Sequence, residues 1–171
     1  LDRAGFPNYV GPQRFGNRFD GHITGRALLM RTARERFPRA TRRLLISAYQ
    51  SHLFNLALAR RIREGGFAAL WDGDIAMKHD NGACFRVESA AAEQERMDRF
   101  AISPTGPIFG AKMLAAGGRE GAIEEAILGA AAYFGAIVVA FRLHPRDAAV
   151  VGGAHFGLAL LVGLGSLLAG F

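Results

Sequence analysis

One segment sets the terms for everything that packs around it. Residues from about Arg42 to Glu64 read as a single long helix, stopped by the Gly65-Gly66 pair. Leu44, Leu45, Leu53, Phe54, Leu56, Leu58 and Ile62 cover much of its surface, yet one row at four-residue spacing reads Arg43, Ser47, Ser51, Asn55. Three small polar side chains in line on an otherwise apolar helix need partners where they are buried. The row either hydrogen-bonds an irregular loop or faces a ligand. The first reading is favoured, because fixing an irregular loop takes many donors and acceptors.

Such a loop lies at Gly5-Phe6-Pro7-Asn8-Tyr9-Val10-Gly11-Pro12-Gln13-Arg14-Phe15-Gly16. Pro7 and Pro12 lack backbone donors and bias Phe6 and Gly11 toward extended conformations, so neither a regular helix nor a central strand fits. Aromatic, amide and guanidinium groups displayed together suit nucleic acid: rings stack on bases, amides read edges, arginine holds phosphate. A loop plugged by its own rings, with a structural arginine, is the alternative.

Pro7, Asn8, Tyr9, Gly11, Gln13, Arg14, Phe15 and Gly16 fit the pattern Pro-Asn-Tyr-Phe-Gly-x-Gln-Arg-Phe-Gly, with Val10 in place of the usual phenylalanine. Leu45-Ile46-Ser47-Ala48-Tyr49-Gln50-Ser51-His52-Leu53-Phe54-Asn55 is similar to a Leu-Ser-Ala-x-x-Ser-x-Leu-Phe-Asn helix. Asp72-Gly73-Asp74 and Ser103-Pro104-Thr105-Gly106-Pro107-Ile108-Phe109-Gly110 resemble a Gly-Asp turn and a Gly-Pro-Leu-x-Gly loop. In these three ordered matches, over about residues 5 to 113, the chain resembles the TruD family of tRNA pseudouridine synthases.

The resemblance implies an α+β fold, a helix-rich inserted domain over residues 1–130 followed by a short strand-rich tail, 131–171, that starts the return into the catalytic domain. It implies RNA, and specifically tRNA, as partner, with Asn8, Tyr9, Gln13, Arg14 and Phe15 as RNA-binding residues and Ser47, Ser51 and Asn55 as supports of the loop. The family's chemistry flips a uridine from its stack, attacks with an aspartate and rejoins the base through carbon, with no cofactor and no metal. That aspartate belongs to a Gly-x-Lys-Asp-like motif in an N-terminal segment upstream of the signature loop. No residue here fits the motif, so no catalytic residue is carried over and the chain is expected to be inactive alone. Asp72, Asp74 and Asp147 are the acids best placed to substitute, and all three read as turn formers. A non-catalytic RNA-binding or structural module in a larger assembly is the second reading.

The charge distribution agrees with a nucleic-acid partner. Residues 1–63 hold thirteen arginines against Asp2, Asp20 and Glu35, a balance of +10, while residues 64–171 carry −4, giving the chain its +6. A basic half that also bears the aromatic loop is a footprint for phosphate backbone. Because 19 of the 21 basic residues are arginine, a G- and C-rich genome is a competing source of the bias.

Elsewhere the pattern is mixed. Thr24 can cap a helix from Gly25 to about Phe37, ended by Pro38. Ile75–Lys78 and Ala83–Val87 read as a hairpin around Asn81-Gly82, Ser89 as the cap of a helix to about Phe100, Ser103–Gly110 as a loop, and Glu120–Leu128 as helix. Cys84, alternating within the hairpin, reads as a buried inert thiol, which leaves no disulfide and no cysteine-based zinc site. His22, His52, His79, His144 and His155 lack metal-ligand spacing and read as structural or surface groups. No secretory signal opens the chain, so a cytoplasmic setting is expected.

The tail departs from the family pattern. Gly163–Phe171 keeps only a Leu-x-Ser skeleton of the closing turn, and no charge occurs from Ala126 to Phe141 or from Ala148 to Phe171. Degeneration, an unusually apolar core and an imperfect sequence all remain open. Ile137–Leu143 and Leu158–Leu164 read as strands around a His144–Asp147 turn. A membrane hairpin fits less well, since the first apolar limb is short of the roughly 20 residues that span a bilayer and the second is broken by glycines.

Overall fold

The computed structural model describes residues 6–110 and 113–141. It is α+β: helices α1 (Gly21–Leu29) and α2 (Arg39–Arg63), strands β1 (Ile75–Lys78) and β2 (Cys84–Arg86), helix α3 (Ala90–Asp98), strand β3 (Ile102–Pro104) and helix α4 (Gly118–Phe141). Helix α2 is the axis. Helices α1 and α4 both pack on it, and a row of buried residues at four-residue spacing, Tyr49, Leu53, Ala57 and Arg61, faces inward. Tyr49, Leu53 and Ala57 form the main core with Phe109, Ile123 and Ile127.

Helix α1 begins earlier and ends earlier than the Thr24-capped helix expected over Gly25–Phe37. The amides of Ile23 and Thr24 already donate to the Asp20 carbonyl. Gly25 is a crossing point and not a start: a Cβ there would lie 1.9 Å from the Leu45 carbonyl oxygen, so only glycine lets the two backbones touch. The helix closes when the Arg31 amide donates to the Leu28 carbonyl and that of Thr32 to Ala27, with Arg31 at φ +56°. Those bonds form the Schellman closure that usually places glycine where Arg31 stands.

The three strands form an antiparallel sheet of order β2-β1-β3, with Ala76 opposite both Phe85 and Pro104. Its buried face, Ala76, Val87 and Ile102 with Leu70, is covered by Phe85, Ala90 and Met97. The hairpin lies where the Asn81-Gly82 signal puts it, and Ser89 caps α3 by accepting from the Ala92 amide. The expected loop from Ser103 contributes its first two residues to β3 instead. Cys84 is exposed, correcting its reading as a buried thiol. Strand β2 has neighbours on one side only, and its alternation turns Phe85 inward and leaves Cys84 and Arg86 outside.

Helix α4 runs through residue 130 and continues to Phe141, so 137–141, expected as strand, is helical. An apolar run without polar alternation does not separate a buried helix from a strand. Here the N-terminal half of α4, anchored by Glu120, Ile123 and Ile127, propagates the helix through the alanine-rich run that follows. The turn at 144–147 and the strand expected at 158–164 lie outside the described residues. Among the described residues no helix is long and apolar enough to cross a membrane.

Candidate nucleic-acid interface

The run from Phe6 to Gly16 is irregular, as its prolines require, apart from a 3-10 turn over Pro12–Phe15. Pro7 accepts from the Tyr9 amide in a three-residue turn, and Gly11 accepts from the Arg14 amide. Its tertiary anchor is Asn55. The Val10 amide donates to Asn55 Oδ1 at 2.9 Å, and Asn55 Nδ2 donates to the Val10 carbonyl at 3.0 Å. One carboxamide thus satisfies both backbone groups of a residue, as a neighbouring strand would.

Anchoring through the backbone leaves the side chains outward. Asn8, Gln13 and Arg14 are exposed and Tyr9 is 44% exposed. Phe15, half-buried, sets its edge against the ring of His22, centroids 5.4 Å apart. His22, from α1, stacks on His52, from α2, at 4.3 Å. Burial, then the neighbouring His22 and Arg26, lower the pKa of His52 to about 4. Burial lowers that of His22 as well, partly opposed by Asp20. The pair is therefore neutral at pH 7, an apolar seat for Phe15.

Of the row at 43, 47, 51 and 55, only Asn55 hydrogen-bonds the loop among the described residues. The buried Ser51 hydroxyl donates to the Ser47 carbonyl one turn back in its own helix, at 3.0 Å, and Arg43 is exposed. A residue outside that row, Gln50, does similar work: its Nε2 donates to the Phe109 carbonyl at 2.7 Å. Beside it Phe54 packs so closely on Gly106 that a Cβ there would lie 2.5 Å from the ring. Helix α2 thereby holds two irregular segments, 6–16 and 105–110. A cleft of about 800 Å³ opens between them, lined by Phe6, Tyr9, Phe54, Phe67, Phe100 and Ile108 among others.

Arg61, at the edge of that cleft, was not singled out by the sequence reading. Its guanidinium forks onto Asp74 (2.7 Å to each oxygen), reaches Glu120 at 2.9 Å, and donates to the carbonyls of Gly66 (2.8 Å) and Ala69 (2.9 Å). All five N–H donors are used. The guanidiniums of Arg61 and Arg119 both lie against the Trp71 ring, at 4.4 and 4.2 Å. Burial works against the charge on Arg61, but Asp74 and then Glu120 outweigh it and raise its pKa. Burial raises that of Glu120, partly offset by Arg61. The clue available in sequence was spacing, since Arg61 continues the row Tyr49, Leu53, Ala57.

The candidate acids are committed elsewhere. Asp74 is 1% exposed and paired, while Asp72 Oδ1 accepts from the Ala90 amide at the start of α3; Asp147 lies outside the described residues. Among the described residues no three of His, Cys, Asp and Glu gather as metal ligands.

A family model described as tRNA pseudouridine synthase D (TruD) matches residues 30–132. The tRNA pseudouridine synthase D of Anaeromyxobacter dehalogenans (strain 2CP-C) is 46% identical over 136 residues, 75% of this chain and 38% of that protein. That of Syntrophotalea carbinolica is 53% identical over 93 residues, 54% of this chain and 23% of the relative. The chain thus spans well under half the length of these two relatives. A crystal structure from Methanosarcina mazei, described as a tRNA pseudouridine synthase D, shares the fold with TM-score 0.60 at 20% identity, over 76% of this chain and 46% of that one.

Proposed function

The chain belongs to the TruD family of tRNA pseudouridine synthases, and from that premise we propose that it forms the part of such an enzyme that grips tRNA. The observation that carries this reading is the Asn55–Val10 clamp, which fixes the loop by its backbone and leaves its side chains uncommitted. Tyr9 offers a ring to an unstacked base, Asn8 and Gln13 offer amides to base edges, and Arg14 offers its fork to a phosphate. Phe15, held against His22, keeps the far end of the loop in place, and Asn55 supports the near end. In this reading residues 1–130 are the RNA-facing inserted domain and 131–171 begin the return to the catalytic domain, with α4 crossing the junction. A tRNA-directed role supports a cytoplasmic setting. The nucleophile is assigned to none of these residues.

Binding of a tRNA transcript by the 171-residue chain tests the reading. Arg14→Ala is expected to weaken binding by about 1–3 kcal/mol while leaving the fold intact. Affinity insensitive to salt between about 50 and 200 mM would overturn it. The chain alone is expected to form no pseudouridine on that transcript, and turnover abolished by substituting Asp72, Asp74 or Asp147 would show the nucleophile to be among these residues.

A further inference from the structure

The arginines of this chain are used in two different ways. Among the described residues from Arg60 onward, Arg60, Arg61, Arg96, Arg99 and Arg119 form ion pairs and Arg86 donates to the Ala115 carbonyl, Arg63 being the exception. In the connector between α1 and α2 and the first turn of α2, Arg31, Arg34, Arg36, Arg39, Arg42 and Arg43 are all exposed. None of these six guanidiniums has a hydrogen-bond or ion-pair partner among the described residues, and Glu35 is the one acid between residues 21 and 63. A codon bias toward arginine would load the chain without sorting it into paired and unpaired halves.

The local structure is worse for these charges. Arg39, Arg42 and Arg43 repel one another at three- and four-residue spacing in a helical turn that holds no acid. Arg31 occupies a left-handed position where glycine is favoured. Residues that break local preference without a partner inside the fold are expected where an outside partner supplies one.

Its chemistry follows from what the arm lacks. The sole ring between residues 31 and 43 is Phe37, half-buried, so no exposed aromatic is present to stack on bases. Guanidiniums without rings suit the phosphates of a double-helical stem, read by shape and not by sequence. Position follows from the two ends of the loop: Arg42 lies thirteen residues from Asn55, the Val10 anchor, about 20 Å along the axis of α2 at 1.5 Å per residue, while Arg34 lines one cleft with Phe15 and Gly16 at the loop's other end.

We propose that residues 31–43 form a second RNA contact, which grips the phosphate backbone of a duplex stem running along α2 from the far end of the signature loop. This rests on the reading that the loop itself binds RNA. At roughly 3 Å of rise per base pair, a stem must extend about seven base pairs beyond nucleotides held at the Tyr9 end of the loop to reach Arg42.

Two RNA hairpins with the same loop and stems of about 4 and 12 base pairs, titrated with the full chain, test this. The long hairpin is expected to bind at least tenfold tighter, and R34Q/R36Q/R42Q to reduce it to the affinity of the short one with a shallower salt dependence. Arg31→Gly gives a control against misfolding, since it is expected to hold or raise thermal stability while weakening the long hairpin alone. Arg14→Ala is expected to weaken both hairpins. Equal affinity for the two stems, or arm variants that weaken both equally, would overturn the second contact and leave the loop's role standing. No binding of either hairpin would overturn both.

Discussion

The Asn55 clamp admits a quantitative test. Asn55→Ala removes two hydrogen bonds, at 2.9 and 3.0 Å, and leaves the Val10 amide and carbonyl partly buried without partners. At about 1 kcal/mol net for each bond, with a desolvation penalty where water does not replace the carboxamide, the loss is about 2–3 kcal/mol. Urea unfolding followed by fluorescence of Trp71, the single tryptophan, reads the global stability, and hydrogen exchange at the Val10 amide reads the clamp directly. The two should move together: lower stability and faster exchange at Val10. Asn55→Asp refines the test. Its carboxylate still accepts from the Val10 amide but faces the Val10 carbonyl, whereas protonation at low pH restores a donor. Its deficit should therefore shrink relative to the parent as pH falls below the carboxyl pKa. A loss under about 0.5 kcal/mol in the alanine variant, with Val10 exchange unchanged, would refute the idea that Asn55 sets the loop's shape.

Two further outcomes follow from buried charge and from the histidine pair. Arg61→Met leaves the Asp74 carboxylate buried without its partner and should destabilise by about 3–5 kcal/mol in urea unfolding, whereas the triple variant R61M/D74N/E120Q should recover part of that. For His52, the folded pKa of about 4 lies below the 6.5 of a free imidazole, so between those pH values the unfolded chain binds a proton that the folded chain does not. Stability should fall as pH drops through that window, by up to about 3 kcal/mol, and His52→Phe should flatten the slope. Glu120, raised above 4.5, works in the opposite sense at the acid end. The comparison with the variant isolates the histidine, and an unchanged slope would contradict its burial.

How much of this was legible in the sequence depended on which residue carried each feature. Helices α1, α2 and α3 all close with the same pair of backbone bonds, at Arg31, Gly65 and Phe100, each with positive φ. Glycine announces that conformation, so the end of α2 could be read. Arginine does not, so α1 was carried on to Pro38, the next visible stop. The loop and the polar row were legible because prolines, glycines and isolated polar groups on an apolar helix have few ordinary explanations. That the row's hydrogen bonds would divide, Asn55 reaching out and Ser51 turning back, was not, because a serine hydroxyl one turn from a carbonyl always has that local option. Arg61 was hidden among Arg60 and Arg63, which spacing alone distinguishes from it. Residues 137–141 were misread because their composition suits a strand as well as a helix, and the choice is made by the packed first turns of α4.

The division of labour along α2 explains how an irregular loop can be ordered and still available. Three polar side chains of this helix reach irregular segments, and each meets backbone: Asn55 at Val10, Gln50 at Phe109, and Arg61 at Gly66 and Ala69. A helix of 25 residues, packed by α1 and α4, is rigid enough to make those bonds a fixed template. Because the anchors use carbonyls and amides, which every loop residue except proline has, they place no demand on the loop's own side chains. Asn8, Tyr9, Gln13 and Arg14 can then be chosen for what they contact outside the protein. The substitution of Val10 for phenylalanine in the family pattern falls on the clamped residue, whose hydrogen bonds to Asn55 run through its backbone. The anchor therefore places no hydrogen-bonding demand on which side chain stands at position 10.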